Sequence, residues 1–236
     1  MALYIIGLGL CVEKDISLKG LEAVKNCSVV YLEHYTSILQ VGKEKLETLY
    51  GKSVVLAARE FVEDGKEILK QSVNEDVALL VVGDPMAATT HVDLFLEARK
   101  KGILVQVIHN ASVFNAVGVT GLQLYKFGKT TSIPFDLGRL VEAPYNVIKE
   151  NLSLGLHSLV LLDLDCATGR FMTVNEGLQI LLDIEKKKKE KIVTEKTLAV
   201  GVARLGSSEM VIRHGTVAEL LAVDFGTAPH CIIISG

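Results

Sequence analysis

Six consecutive residues, Val77-Ala78-Leu79-Leu80-Val81-Val82, carry no polar side chain and are rich in β-branching. Such a run is expected of a strand covered on both faces, as in a parallel α/β sheet. The run empties into Gly83-Asp84-Pro85-Met86-Ala87-Ala88-Thr89-Thr90-His91. Gly83 permits a turn or a close approach to a ligand, and Asp84 before Pro85 has the order of an N-cap and a first helical residue. Ligands of open α/β sheets lie beyond the carboxyl ends of the strands, where this corner falls. Asp84 is therefore read as a ligand-facing carboxylate, with a plain helix cap as the alternative.

The segments around it repeat the pattern. Residues 3–8, 28–32, 54–57 and 104–108 read as further strands, and residues 17–24 and 91–98 place their apolar side chains on one helix face. This alternation implies a mostly parallel sheet. After a helix at 113–121 ended by glycine, the order becomes more mixed, with strands at 131–135, 158–164, 197–205, 210–214 and 231–235 and helices at 145–152 and 173–188. The reading is two α/β domains, 1–113 with the mostly parallel sheet and 114–236 with a mixed one. No Pro- or Ser-rich linker separates them, so a shared interface and cleft are expected.

With 236 residues, 49% of them apolar, the chain can bury a large core, and a net charge of -3 lacks the basic footprint of nucleic-acid binding. Lys186 to Lys189 close a helical pattern and read as a solvated helix end. No apolar run reaches the roughly 18 residues of a membrane span, and no basic leader precedes Leu3-Tyr4-Ile5-Ile6. A cytoplasmic protein is expected. Cys11, Cys27, Cys166 and Cys231 are far apart and read as reduced, mostly buried thiols; the six His residues show no ligand spacing, and no metal is predicted.

Three strand-to-turn corners are candidates for one ligand site: Gly7-Leu8-Gly9-Leu10, the Gly83 corner, and His109-Asn110-Ala111-Ser112-Val113. Gly-x-Gly after a first strand can cradle a pyrophosphate, but Val12 holds the place of the third glycine, so the dinucleotide fingerprint is incomplete. A tight turn without a ligand is the alternative.

Together with Tyr31-Leu32-Glu33-His34-Tyr35-Thr36-Ser37, Gly121-Leu122-Gln123-Leu124-Tyr125-Lys126-Phe127-Gly128, Arg170-Phe171-Met172-Thr173-Val174-Asn175-Glu176, Val202-Ala203-Arg204-Leu205-Gly206 and Pro229-His230, these corners resemble the diphthine synthase family. Those are methyltransferases of diphthamide biosynthesis with the tetrapyrrole methylase (class III) fold. The resemblance spans nearly the whole chain, although residues 136–144 match poorly. Family members run on for some tens of residues past Gly236, so a truncated or short variant is expected.

The resemblance implies a homodimer that binds S-adenosylmethionine in the inter-domain cleft and methylates the aminocarboxypropyl group on one histidine of translation elongation factor 2. It implies cofactor contacts at Leu10, Asp84, Ala87, Ser112, Val113, Leu162, Leu205 and His230. Archaeal members stop at the trimethylated amine, and eukaryotic ones add a methyl ester. Tyr35-Thr36-Ser37, the 122–128 segment and Val202-Ala203-Arg204 resemble the eukaryotic form. A tetrapyrrole-type methyltransferase acting on a small molecule and a non-catalytic binding module are the other readings. In-line methyl transfer needs orientation and water exclusion rather than a side-chain nucleophile, so no catalytic residue is assigned. Glu33, His34, Tyr35 and Arg170 are read as substrate contacts at strand ends.

Overall fold

The computed structural model describes residues 1–87, 90–135 and 140–236; Ala88 and Thr89 of the corner motif and residues 136–139 of the poorly matching loop lie outside it. The described residues form two compact units, Met1–Val113 and Phe114–Gly236.

The first unit runs β1 (Ala2–Gly7), α1 (Leu18–Asn26), β2 (Val29–Glu33), α2 (Lys43–Tyr50), β3 (Val55–Ala57), α3 (Arg59–Asp64), α4 (Lys66–Ser72), β4 (Val77–Val81), α5 (His91–Lys100) and β5 (Leu104–Ile108). The strands lie in the order β3-β2-β4-β1-β5, parallel throughout. Successive side chains of a strand point to opposite faces, and both faces are apolar here. Leu3, Ile5, Val77, Leu79 and Val81 pack with Val62, Ile68 and Leu94 of α3, α4 and α5. Ile6, Ala78, Leu80 and Ile108 pack with Val24, Leu46 and Tyr50 of α1 and α2. The chain leaves β1 toward β2 on one side and leaves β4 across β1 toward β5 on the other. The neighbouring carboxyl ends of β1 and β4 therefore flank a topological switch point, the place where open α/β sheets hold ligands.

A short helix, α6 (Val113–Ala116), crosses the boundary between the units and continues as a 3-10 turn to Thr120, ended by Gly121 at φ +86°. The second unit then runs β6 (Thr131–Ile133), α7 (Ala143–Ser153), β7 (Ser158–Leu162), β8 (Leu164–Asp165), β9 (Arg170–Phe171), α8 (Val174–Lys188), β10 (Leu198–Ala203), β11 (Val211–Thr216), α9 (Val217–Leu221) and β12 (His230–Ile234). Its main sheet has the order β11-β10-β12-β7-β6, with β12 antiparallel to both neighbours and β6 parallel to β7. The sheet is mixed, as the sequence suggests. α8 is started by a capping box in which the Thr173 hydroxyl accepts from Glu176 N and the Glu176 carboxylate accepts from Thr173 N. It buries Leu178, Leu181 and Ile184 in a core shared with Ile232 and Ile234 of β12.

Three expectations are corrected. No helix starts at Asp84-Pro85: Asp84 Oδ1 accepts from Met86 N at 2.8 Å, the Asp84 carbonyl accepts from Ala87 N at 3.2 Å, and α5 begins only at His91. An aspartate that bonds backbone two residues on closes a turn instead of capping a helix. The predicted strand at 158–164 breaks at Asp163, whose carboxylate accepts from Phe135 N and Leu164 N. The expected helix at 113–121 is one α turn followed by a 3-10 turn. The lysine cluster does close α8 as a solvated end, with Lys186, Lys187 and Lys189 exposed; Lys186 meets Asp183, while Lys187 and Lys188 both meet Glu142.

No disulfide joins any of the four cysteines, and three of them are buried. Burial, reinforced at Cys27 by Asp76, pushes Cys27 and Cys231 up to about 12, so both stay protonated.

Candidate functional site

The three corners of the first unit are tied into one structure. Gly9 and Gly83 exchange backbone hydrogen bonds, Gly9 N to Gly83 O at 3.3 Å and Gly83 N to Gly9 O at 2.7 Å. Both have positive φ, +78° and +83°, which a side chain would oppose. Gly7 is crowded instead. A Cβ there would lie 2.6 Å from the Gly83 carbonyl oxygen and 2.9 Å from Asn110 Cβ. Asn110 Nδ2 donates to the carbonyls of Gly7 and Asp15 at 3.0 and 2.9 Å, joining the end of β5 to the loop after β1. Asp15 Oδ2 in turn accepts from Cys11 N and Val12 N. The chain after Gly9 is thus a side-chain-braced loop with one 3-10 turn at Glu13–Asp15, and the first α-helix starts only at Leu18, not directly after the Gly-x-Gly turn as in a dinucleotide fold.

Asp84 stands at the junction. Its Oδ2 accepts from His109 Nδ1 at 2.8 Å and from Asn110 N at 3.1 Å, while Oδ1 holds Met86 N. Burial opposes its charge, yet the Met86, Asn110 and His109 hydrogen bonds prevail and hold the carboxyl below the usual carboxylate range. The carboxylate stays ionised and is 13% exposed. Each oxygen has two lone-pair sites, so Oδ1 can accept one more hydrogen bond.

Around this carboxylate the structure brings Ala87, half-buried on the same turn, and Ser112, buried, whose Cα and Cβ lie 3.9 Å from where a Gly83 Cβ would be. Leu10 follows the Gly9 bridge and Val113 follows Ser112; both are half-buried.

The other expected positions gather at one end of the second sheet. β12 is antiparallel to β7 and β10, so its start lies beside their ends: Cys231 pairs with Leu161, and His230 with Ala203. Leu162 ends β7, His230 begins β12, and Leu205 lies two residues past β10. The His230 ring is already engaged. Nδ1 accepts from Val174 N at 3.3 Å and Nε2 donates to the Thr227 carbonyl at 2.9 Å. Only a neutral ring satisfies both, so what His230 can offer a ligand is its backbone.

Sequence reasoning missed the residue that organises this end. Arg204 is buried at a positive φ of +49°, its backbone N donates to Pro229 O at 2.8 Å, and its guanidinium donates to the carbonyls of Glu209, Phe225 and Thr227. It pins the loop that delivers His230. The available signal was an arginine interrupting the apolar run before Gly206. Among the proposed substrate contacts, Arg170 is exposed with its guanidinium 4.1 Å from the Phe135 ring centroid, and His34 is exposed, whereas Glu33 is fully buried and meets no surface partner.

Burial, with Arg204 adding to it against the opposing Thr227 bond, holds the His230 pKa below its ordinary 6.5, and burial with Lys126 does the same for His157. The folded pKa values lie below the unfolded ones, so the unfolded chain takes up protons first as pH drops. Stability is expected to be level above about pH 6.5 and to fall below it. Thermal melts across that range check this; a midpoint that holds steady or climbs on acidification contradicts it.

The family of Tetrapyrrole (Corrin/Porphyrin) Methylases matches residues 2–221. With the parallel sheet, the mixed sheet and the laced corner, that match defines the class as an S-adenosylmethionine-dependent methyltransferase. The chain is 51% identical to the diphthine methyl ester synthase of Schizosaccharomyces pombe, over 99% of this chain and 88% of that protein. It is 49% identical to the diphthine synthase of Methanocaldococcus jannaschii, over 99% and 93%. A crystal structure of diphthine synthase superposes with a TM-score of 0.92 at 38% identity, covering 100% of this chain and 90% of the other. The chain belongs to the diphthine synthase branch of the tetrapyrrole methylase family.

Proposed function

We propose that the protein methylates the aminocarboxypropyl-modified histidine of translation elongation factor 2 in diphthamide biosynthesis, making the trimethylated amine and then the carboxylate methyl ester. The observation that carries this is the Asp84 corner, a braced and ionised carboxylate at the switch point, in a chain half-identical to diphthine synthases. We propose further that it acts as a cytoplasmic homodimer, as the family resemblance implies.

The residues suit the cofactor. Asp84 keeps an acceptor site for a hydroxyl, the Gly83 backbone leaves room for close approach, and Leu10, Ala87 and Val113 provide apolar surface. Leu162, Leu205 and the His230 backbone are the proposed contributions of the second unit. Bound S-adenosylmethionine would supply a methyl group on a positively charged sulfur. The protein's task is to orient the acceptor in line and keep water out. An anionic clamp at that sulfur would favour the ground state, which loses its charge on transfer, so the Asp84 carboxylate is assigned to a hydroxyl of the cofactor. The acceptor amine must lose a proton first, whereas a carboxylate acceptor needs no deprotonation near neutral pH.

Intact-mass spectrometry of elongation factor 2 bearing the aminocarboxypropyl histidine, incubated with this protein and S-adenosylmethionine, tests the reading. A gain of four methyl masses is expected. Three would restrict the product to the trimethylated amine, and none, with cofactor binding intact by calorimetry, would point to another acceptor.

A further inference from the structure

Glu33, the last residue of β2, has no solvent exposure, and His91, the first residue of α5, has 1%. Glu33 Oε2 stands 3.2 Å from His91 Nε2, and Glu33 Oε1 accepts the Thr36 hydroxyl. On the far side of the ring, Nδ1 lies 3.2 Å from the Pro85 carbonyl oxygen. A carbonyl only accepts, so Nδ1 carries a proton and Nε2 faces the carboxyl group. The carboxyl group and the ring face each other with almost no exposure to water, and polar groups are buried in this way only when paired.

The acceptor shows what the pair does. The peptide group between Pro85 and Met86 has its carbonyl on His91 and its N–H on Asp84 Oδ1 at 2.8 Å. A peptide group is planar and turns as one body, so this plane is clamped from both sides. Rotating it away from His91 also withdraws the Met86 N–H from Asp84. The clamp joins the carboxyl end of β2 to the turn after β4, its neighbour in the sheet. An apolar pair of similar volume commonly serves stability as well or better. What an apolar pair cannot do is hold a carbonyl.

We infer that Glu33 and His91 are positioning residues that set the Asp84 carboxylate through the 85–86 peptide, an inference that rests on the reading of Asp84 as a cofactor contact. The test uses the full chain, S-adenosylhomocysteine as the calorimetric probe, and hydrogen exchange at the Met86 amide as a readout that needs no cofactor. His91→Phe keeps a ring in place but removes both nitrogens. Met86 exchange is expected to quicken about tenfold and affinity for the probe to fall about tenfold, the scale of one lost hydrogen bond. Glu33→Gln still accepts from Thr36 and donates an amide N–H to Nε2, so it is expected to keep both readouts within about threefold of the unaltered protein.

Unchanged Met86 exchange or unchanged affinity in H91F overturns the inference, as does a Glu33→Gln protein that behaves like H91F. If H91F fails to fold, Glu33→Ala, which removes the carboxyl that orients the ring, is read in the same two ways. Asp84→Ala measured beside them separates the levels. Affinity lost in D84A but kept in H91F overturns the positioning role alone, and affinity kept in D84A overturns the reading of Asp84 and the positioning role with it.

Discussion

Asp84→Ala is expected to weaken binding of S-adenosylhomocysteine by about 1–3 kcal/mol, a drop of roughly 5-fold to 150-fold. Two losses contribute. The ligand loses an acceptor, and the corner loses the anion that receives Met86 N, Asn110 N and His109 Nδ1. The half-buried Met86 and Asn110 amides left without an acceptor cost more than the mean value of a hydrogen bond suggests, so the melting temperature should fall as well. Asp84→Asn makes the comparison sharper. Its amide nitrogen, placed where Oδ2 now sits, meets two donors it cannot accept from; with its oxygen there instead, Met86 N loses its partner. Asparagine should therefore recover only part of the binding. Calorimetry on the three proteins decides the matter, and equal affinity in all three would reduce Asp84 to a turn-former.

Gly7→Ala is the second large effect. The added methyl carbon would stand 2.6 Å from Gly83 O, 2.9 Å from Asn110 Cβ and 3.0 Å from Pro85 Cδ. None of these is the free end of a flexible side chain. Gly83 is bonded to Gly9, Asn110 holds two carbonyls, and Pro85 lies in the Asp84 turn. Relief requires the three corners to spread, and overpacking of this kind costs about 1–3 kcal/mol of stability. Because the corners are also the proposed binding surface, affinity for the cofactor should fall with stability. Gly51→Ala is the matched control. It puts the same methyl at the end of α2 where no atom lies within 4 Å, but at a φ of +68°. It should cost about 1–2 kcal/mol through backbone strain and leave binding alone. Urea melts and calorimetry on both variants test this. Equal affinity in Gly7→Ala and Gly51→Ala would show that the corners tolerate being spread.

The sequence by itself determined the strands of the first unit and the turns at their ends. Every strand of the first unit was legible because a run such as residues 77–82, apolar on both faces, suits the interior of a parallel sheet and little else. Gly9, Gly83 and Asp84 could be singled out because they stand directly after apolar strand runs, where a glycine admits a positive φ and an aspartate before proline ends the strand. The short helices α2, α3, α4 and α9 were not read, since five to eight residues give too few turns for a helical period to emerge.

The tertiary structure decided what those residues bond to. Asp84 looked like a helix cap because Pro85 follows it, and only the approach of β5 revealed that half its carboxylate serves His109 and Asn110. Glu33 looked like an exposed strand-end residue until His91, far along the chain, was found against it. His230 looked free in its loop, yet both its ring nitrogens are engaged, and Arg204 pins the loop from a neighbouring strand. The reason is physical: apolar patterning acts through local periodicity, which any window of sequence displays. A buried polar group must instead find a partner of the right charge and geometry, and that partner is supplied by whichever element the fold brings beside it.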